Sequence, residues 1–155
     1  MLFRSSLIFP ALFDYITERA GKISEQGIMV EGVSGEYTVN VPVVTEAIPF
    51  QPDFVLICVK SNETSEAGQS IKPLLGPKTV VVTLQNVVGN VEMLEGLFGT
   101  ERVLGGVTAE GATLLEWGKI IHAGQGDTIM GPKGDPDSPA EKVISAFNKA
   151  GFKTT

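Results

Sequence analysis

The sequence predicts an α/β domain in which a mixed sheet is covered by helices on both faces, and three observations carry that prediction. Phe54, Val55, Leu56, Ile57, Cys58 and Val59 form a continuous apolar run closed by Lys60, Ser61 and Asn62. Val80, Val81, Val82, Thr83 and Leu84 form a second, closed by Gln85 and Asn86. Between them Ala67, Ile71, Leu74 and Leu75 make one helical stripe, bounded by Pro77 because proline cannot continue a helix. Unbroken apolar runs between turn residues suit strands buried on both faces, as in a parallel sheet. Strand, helix and strand in that order make a right-handed crossover. Ligands bind such sheets at the carboxyl ends of the strands, so Lys60 and Asn86 are site candidates by position alone.

The other elements follow from local pattern. Met1 to Phe13 faintly resembles a signal peptide, with Arg4 ahead of an apolar stretch, but it has no small-residue cleavage site and runs directly into Asp14 and Tyr15. Ile16, Ala20 and Ile23 recur at helical spacing and Gly27 follows, which predicts a helix over about residues 17–26. Residues 28–31 and 36–43 flank Gly32-Val33-Ser34-Gly35, and alternation at Tyr37, Val39 and Val41 predicts a hairpin or edge ribbon. Gly89 and Asn90 open a short helix with Val91, Leu94, Leu97 and Phe98 inward, and Gly99 closes it. Residues 103–108 read as a strand followed by a loop of small residues. Residues 119–123 and 128–130 read as two hairpin-like strands joined by Gly124, Gln125 and Gly126. Ser138, Pro139 and Glu141 form a capping box for a last helix with Val143, Phe147 and Ala150 inward. Residues 152–155 begin another strand.

Composition narrows the function. The chain has 155 residues, enough for one domain with a core, and its 18 glycines and 9 prolines are dispersed as punctuation, with no repeat or linker. A formal charge of −6 without a cluster of lysine and arginine gives no support to a nucleic-acid or acidic-membrane partner. No segment approaches the length of a membrane-spanning helix. Cys58 is the only cysteine and is expected to pack in its strand as a small hydrophobe; a chain without a possible internal disulfide suits a reducing cytoplasm. One cysteine and one histidine, His122, far apart do not make a zinc site. His122 lies in a strand pattern with no carboxylate or nucleophile motif beside it, so it reads as a packed or edge histidine. Trp117 and the stretch from Glu110 to Glu116 read as surface and hinge.

Three nucleotide-binding architectures share this element order. A phosphate-loop protein needs Gly-Lys-Ser/Thr opening a helix, which is absent. A flavodoxin-like receiver needs carboxylates where Lys60 and Asn86 stand. A dinucleotide enzyme with a Rossmann-like, doubly wound mixed sheet is what is left.

Five motifs then carry a resemblance. Asp53-Phe54-Val55-Leu56-Ile57-Cys58-Val59-Lys60-Ser61, Leu84-Gln85-Asn86 with Gly89-Asn90, Arg102-Val103-Leu104-Gly105-Gly106-Val107-Thr108, Ile121-His122-Ala123-Gly124 and Ile129-Met130-Gly131 occur in that order. From about Leu12 to the C-terminus the chain resembles the ketopantoate reductase (2-dehydropantoate 2-reductase) family. The resemblance implies cytoplasmic, NADPH-dependent reduction of ketopantoate, or a related 2-oxo acid, to the 2-hydroxy acid on the route to pantothenate. It matches Lys60 to a lysine near the cofactor ribose and the reaction centre, where an ammonium can favour negative charge developing on a carbonyl oxygen. It matches Asn86 to an asparagine on the nicotinamide ribose side and Ala112 to a small residue bordering the cofactor through its backbone.

The chain also departs from the family pattern. The opening strand with Gly-x-Gly-x-x-Gly, which binds the pyrophosphate, has no counterpart in residues 1–10, which contain no glycine. The family's catalytic lysine and helical substrate domain match nothing up to Thr155. Residues 1–155 are therefore expected to form a partial NAD(P)-binding domain without catalytic residues of its own and inactive alone. Its incomplete sheet would expose a strand edge and invite self-association. Asp14 stands where NADP-preferring members carry an arginine; a carboxylate there suits a free ribose 2′-hydroxyl and so admits NAD. Arg19, one turn on, could still reach a 2′-phosphate, and Asp14 equally suits the start of a helix. Val87 replaces a glycine, and a β-branched residue resists positive φ, which predicts a shifted Asn86 loop. The alternative to a reductase fragment is a non-catalytic α/β nucleotide-binding remnant or interaction module.

Overall fold

The computed structural model describes residues 10–46, 51–131 and 139–155, and the backbone pairing of Leu2–Phe3. In chain order the elements are β1 (Leu2–Phe3), β2 (Leu12–Phe13), α1 (Thr17–Gln26), β3 (Ile28–Gly32), β4 (Tyr37–Val39), β5 (Val43–Val44), β6 (Phe54–Ile57) and α2 (Thr64–Ile71). They continue with β7 (Val80–Thr83), α3 (Asn90–Phe98), β8 (Val103–Thr108), β9 (Gly111–Glu116), β10 (Lys119–Gly124), β11 (Thr128–Met130) and α4 (Pro139–Lys149).

The central sheet has the order β1-β6-β7-β8-β11. Strands β6, β7 and β8 run parallel, while β1 and β11 join antiparallel at its two sides. Because side chains alternate along a strand, the two apolar runs feed both faces. Phe54, Val80, Val82, Leu104 and Met130 pack with Ala140, Val143, Ile144 and Phe147 of α4 on one face. Val55, Ile57 and Val81 pack with Ile71, Leu74 and Leu94, from the α2 and α3 side, on the other. Two such cores on one sheet are the expected doubly wound arrangement. A second sheet has the order β4-β3-β10-β9, and β2 pairs with β5 in a parallel ribbon.

Several local expectations are corrected. The expected strand over 36–43 is split, since Pro42 has no N–H for a ladder; β4 pairs with β3 as a hairpin, while β5 leaves to pair with β2. Strands β10 and β11 are no hairpin: β10 lies between β3 and β9, and β11 pairs antiparallel with β8. The small-residue stretch after β8 is itself strand β9, exposed over most of its length and joined to β10 through Trp117 and Gly118, whose φ is 83°. Helix α2 stops before a 3-10 turn, Lys72–Leu74, because the ring of Pro73 would clash in a continuing helix well ahead of Pro77. Ala150 is exposed and Ile144 is buried in its place. Cys58 falls just past β6 and is exposed instead of packed within it.

The edge beside β6 that was expected to be open is paired antiparallel with Leu2–Phe3, opposite Val55 and Phe54. Residues 152–155 contribute a single parallel bridge, Thr154 to Thr128. Ser138 and its capping box lie outside the described residues. No helix among the described residues is long and apolar enough to cross a membrane.

Candidate functional site

Strands β6 and β7 keep one register from Phe54↔Val80 to Ile57↔Thr83. The ladder ends there, and Lys60, just ahead of the 3-10 turn Ser61–Glu63, and Asn86, at a bend, each stand three residues beyond their strand. Both residues are exposed, and among the described residues neither side chain makes a hydrogen bond or ion pair. The backbone turns away at once behind each. The Glu63 amide donates to the Lys60 carbonyl at 2.8 Å in the 3-10 turn before α2, and Gly89, at φ 98°, leads into α3. Val87 keeps a negative φ, as a β-branched residue should; its amide donates to the Gln85 carbonyl at 2.9 Å, and the positive φ falls on Gly89 instead.

Lys60 also lines a cavity of about 530 Å³ together with Phe13, Asp14, Arg19, Cys58 and Glu63. Asp14 is only 4% exposed and accepts from the Ile16 amide at 2.9 Å, closing a short turn at the entrance of α1. It also accepts two bonds from the Arg19 guanidinium, at 2.5 Å and 2.8 Å. Asp14 thus closes the turn ahead of α1, whose N-cap is Ile16 without a side-chain cap bond, and lies on the cavity wall. Its charge is paired with Arg19, the cation one turn on.

Burial by itself would raise the Asp14 carboxyl, but the hydrogen bonds from Arg19 and the Ile16 amide, with the charge of Arg19, hold it below its ordinary value of 3.8. A depressed folded pKa means that the unfolded chain takes up the proton first. The stability from this pair is therefore complete above the ordinary carboxyl range and is lost as pH falls through the lowered value. Urea unfolding at a series of pH values should show Asp14→Asn closing its deficit against the wild type as the solution is acidified. An unchanged deficit would show that ionisation of Asp14 contributes nothing.

On the same wall, Tyr15 donates to a Glu63 carboxylate oxygen at 3.3 Å, and the charge of Glu63 raises its phenol. Cys58 is accessible, yet its surroundings desolvate the sulfur and raise the thiol above its ordinary range. Ala112 sits on β9 opposite His122, outside the cavity lining. The cavity therefore links Lys60 with Asp14, whereas Asn86 stands past the neighbouring strand end outside the cavity lining and Ala112 belongs to the other sheet.

The histidine has a partner that sequence reading missed. His122 Nε2 lies 2.7 Å from a carboxylate oxygen of Glu110, whose other oxygen accepts from the Gly126 amide at 3.4 Å. Counting back through the turn at Trp117 and Gly118 would have set His122 against Thr113; a register shift between Lys119 and Ile120 pairs it with Ala112 instead, which places Glu110 two residues along the same face. No group of three metal-ligating side chains occurs among the described residues.

A wound sheet with helices on both faces defines a Rossmann-like α/β architecture. Residues 12–135 match the family model of ketopantoate reductase PanE/ApbA, and the chain belongs to that family of oxidoreductases. It is 36% identical over 134 residues to 2-dehydropantoate 2-reductase of Pyrococcus horikoshii, a match that covers 85% of this chain and 43% of the relative. The crystal structure of 2-dehydropantoate 2-reductase from Geobacter metallireducens superposes with a TM-score of 0.75 at 32% identity, covering 85% of this chain and 45% of that one. The ternary structure of D-mandelate dehydrogenase with NADH and anilino(oxo)acetate shares the fold, with a TM-score of 0.85 at 23% identity, over 97% of this chain and 49% of that one. The chain spans less than half the length of these relatives.

Proposed function

We propose that this chain forms part of the nicotinamide dinucleotide face of a 2-dehydropantoate 2-reductase. The full enzyme would reduce ketopantoate, or a related 2-oxo acid, to the 2-hydroxy acid in cytoplasmic pantothenate biosynthesis, with NADP(H) or NAD(H) as cofactor. The placement of Lys60 and Asn86, each three residues past the carboxyl end of the paired strands β6 and β7, carries this reading. The donor set fits the polar side of such a cofactor, because an ammonium and an amide with no protein partner among the described residues can take ribose and phosphate oxygens. Bound there, the nicotinamide would supply the hydride. Lys60 would hold ribose or phosphate oxygens and favour negative charge on the substrate carbonyl oxygen. Asn86 would exchange hydrogen bonds with the nicotinamide ribose. Asp14 and Arg19 would meet the adenosine side as an ion pair, which leaves both cofactors open. For Ala112 the support is its family position.

The chain spans less than half the length of its relatives, and the catalytic lysine and substrate site of this reading rest on the family resemblance alone. Titration of NADH and NADPH against the purified chain tests the proposal. Binding that weakens tenfold or more in Lys60→Ala, roughly what a lost charged hydrogen bond produces, is the expected result. In parallel, the chain alone should not turn over ketopantoate above a no-protein control. If the wild-type chain binds neither dinucleotide, the proposal fails and the non-catalytic α/β module takes its place.

A further inference from the structure

The strand ladder of β6 and β7 stops at Ile57 and Thr83, three residues short of Lys60 and Asn86. One side chain spans that interval. Gln85 places a terminal atom 2.6 Å from the Val59 carbonyl oxygen, and because a carbonyl only accepts, that atom must be the amide nitrogen. The remaining hydrogen-bond directions follow from this one assignment. The second Nε2 hydrogen goes to Thr64 Oγ1 at 2.9 Å, and Gln85 Oε1 takes the Thr83 hydroxyl hydrogen at 2.9 Å. Thr83 Oγ1 in turn accepts the Gln85 backbone N–H at 3.3 Å. Thr64 Oγ1 lies 3.3 Å from both Gln85 Oε1 and Asn90 Oδ1, so its single hydrogen serves these two acceptors and ties α3 into the network.

Thr64, Thr83 and Asn90 are buried, so these directions are not scrambled by exchange with bulk water. The four groups reached by Gln85 belong to the end of β6, the end of β7, the first residue of α2 and, through Thr64, the first residue of α3. The residues bonded at the centre, Val59 and Gln85, immediately precede Lys60 and Asn86. We infer that Gln85 is the positioning residue of this site: beyond the end of the ladder its side-chain amide ties the two strand ends together and fixes the backbone that leads into Lys60 and Asn86. Glutamate has the same shape but would set an anionic acceptor against the Val59 carbonyl at 2.6 Å, so the position requires an amide.

The functional meaning of this device rests on the proposed dinucleotide face, but its test does not depend on cofactor binding. Backbone 15N relaxation would be measured on the full chain for wild type, Gln85→Glu, Gln85→Leu and the milder Thr83→Val, with Leu94→Ala as a control for general destabilisation. In the Gln85 variants the order parameters of Lys60 and Asn86 should fall from about 0.85 to below about 0.6, with a smaller fall in Thr83→Val. Leu94→Ala should leave both values near wild type although it melts earlier. Rigid Lys60 and Asn86 in the Gln85 variants, whatever their melting temperatures, would overturn the inference. Should the Gln85 variants not fold, rigid values in Thr83→Val would overturn it equally. Titration of NADPH on the same samples keeps the two ideas apart: a wild-type chain that binds no dinucleotide sinks the proposed function and leaves the relaxation result to decide the role of Gln85.

Discussion

Leu94→Ala should destabilise the chain by about 3 kcal/mol, within the range for emptying a buried leucine site, and so lower its folding equilibrium roughly a hundredfold. Leu94 is fully buried and joins Val55, Ile57, Ile71, Leu74 and Val81 in the core between the sheet and the α2–α3 layer. The surroundings have little freedom to collapse into the space left by the side chain. Helices α2 and α3 are already in close contact at Gly68, where a Cβ would come within 2.7 Å of a Leu97 methyl carbon and 3.5 Å of one of Leu94. A cavity is therefore expected to remain, and cavity and transfer costs add. Thermal melting followed by circular dichroism should show a fall of roughly 6–12 °C for a chain of this size. A fall of a degree or two would mean that the helices close over the gap.

Gly32→Ala should cost about as much, for a different reason. Gly32 has φ 119°, a conformation that L side chains rarely adopt, and it pairs with His122 where β3 and β10 run parallel. A Cβ there would sit 2.2 Å from the His122 carbonyl oxygen, which already accepts the Val33 amide at 3.0 Å. Both clashing partners are backbone, so no rotamer change relieves them. The expected outcome is a loss of about 3 kcal/mol together with local separation of β3 from β10, seen as lost contacts between Val30 and Ile120 in nuclear Overhauser spectra. Strand β10 also carries His122, so its hydrogen-bond contact with Glu110 should loosen with it. Wild-type stability with those cross-strand contacts intact would show that the two backbones can part without cost.

Much of this architecture was legible from local pattern, for identifiable reasons. Residues 54–57 and 80–83 are apolar without alternation because both of their faces are covered, and that is a signal confined to a few neighbours in sequence. Helix α1 was delimited by Ala20 and Ile23 at helical spacing and by Gly27, whose amide donates to the Ile23 carbonyl at the helix end. Lys60 and Asn86 were legible because polar residues closing such strands have a place in the fold before any family is considered. Strand β9 was not legible: it is an exposed edge of small and apolar residues, and no buried face imposes a period on it. For β10 and β11, the short Gly124-Gln125-Gly126 connection suggested a hairpin, whereas pairing with β3 and β8 drew them into different sheets.

The candidate site divides along the same line. Residue types and strand order, together with the motifs, were sufficient for a wound α/β sheet of the ketopantoate reductase family with an ammonium and an amide at two strand ends. Tertiary packing alone brought His122 to Glu110 and Gln85 to Val59 and Thr64. Each of these contacts is made by a directional polar group, and its strength depends on a partner within about 3 Å. Residues far apart along the chain reach that distance only after the strands have chosen their register. Hydrophobic periodicity announces itself along the chain, while the partner of a charge or an amide is known only once the chain has folded around it.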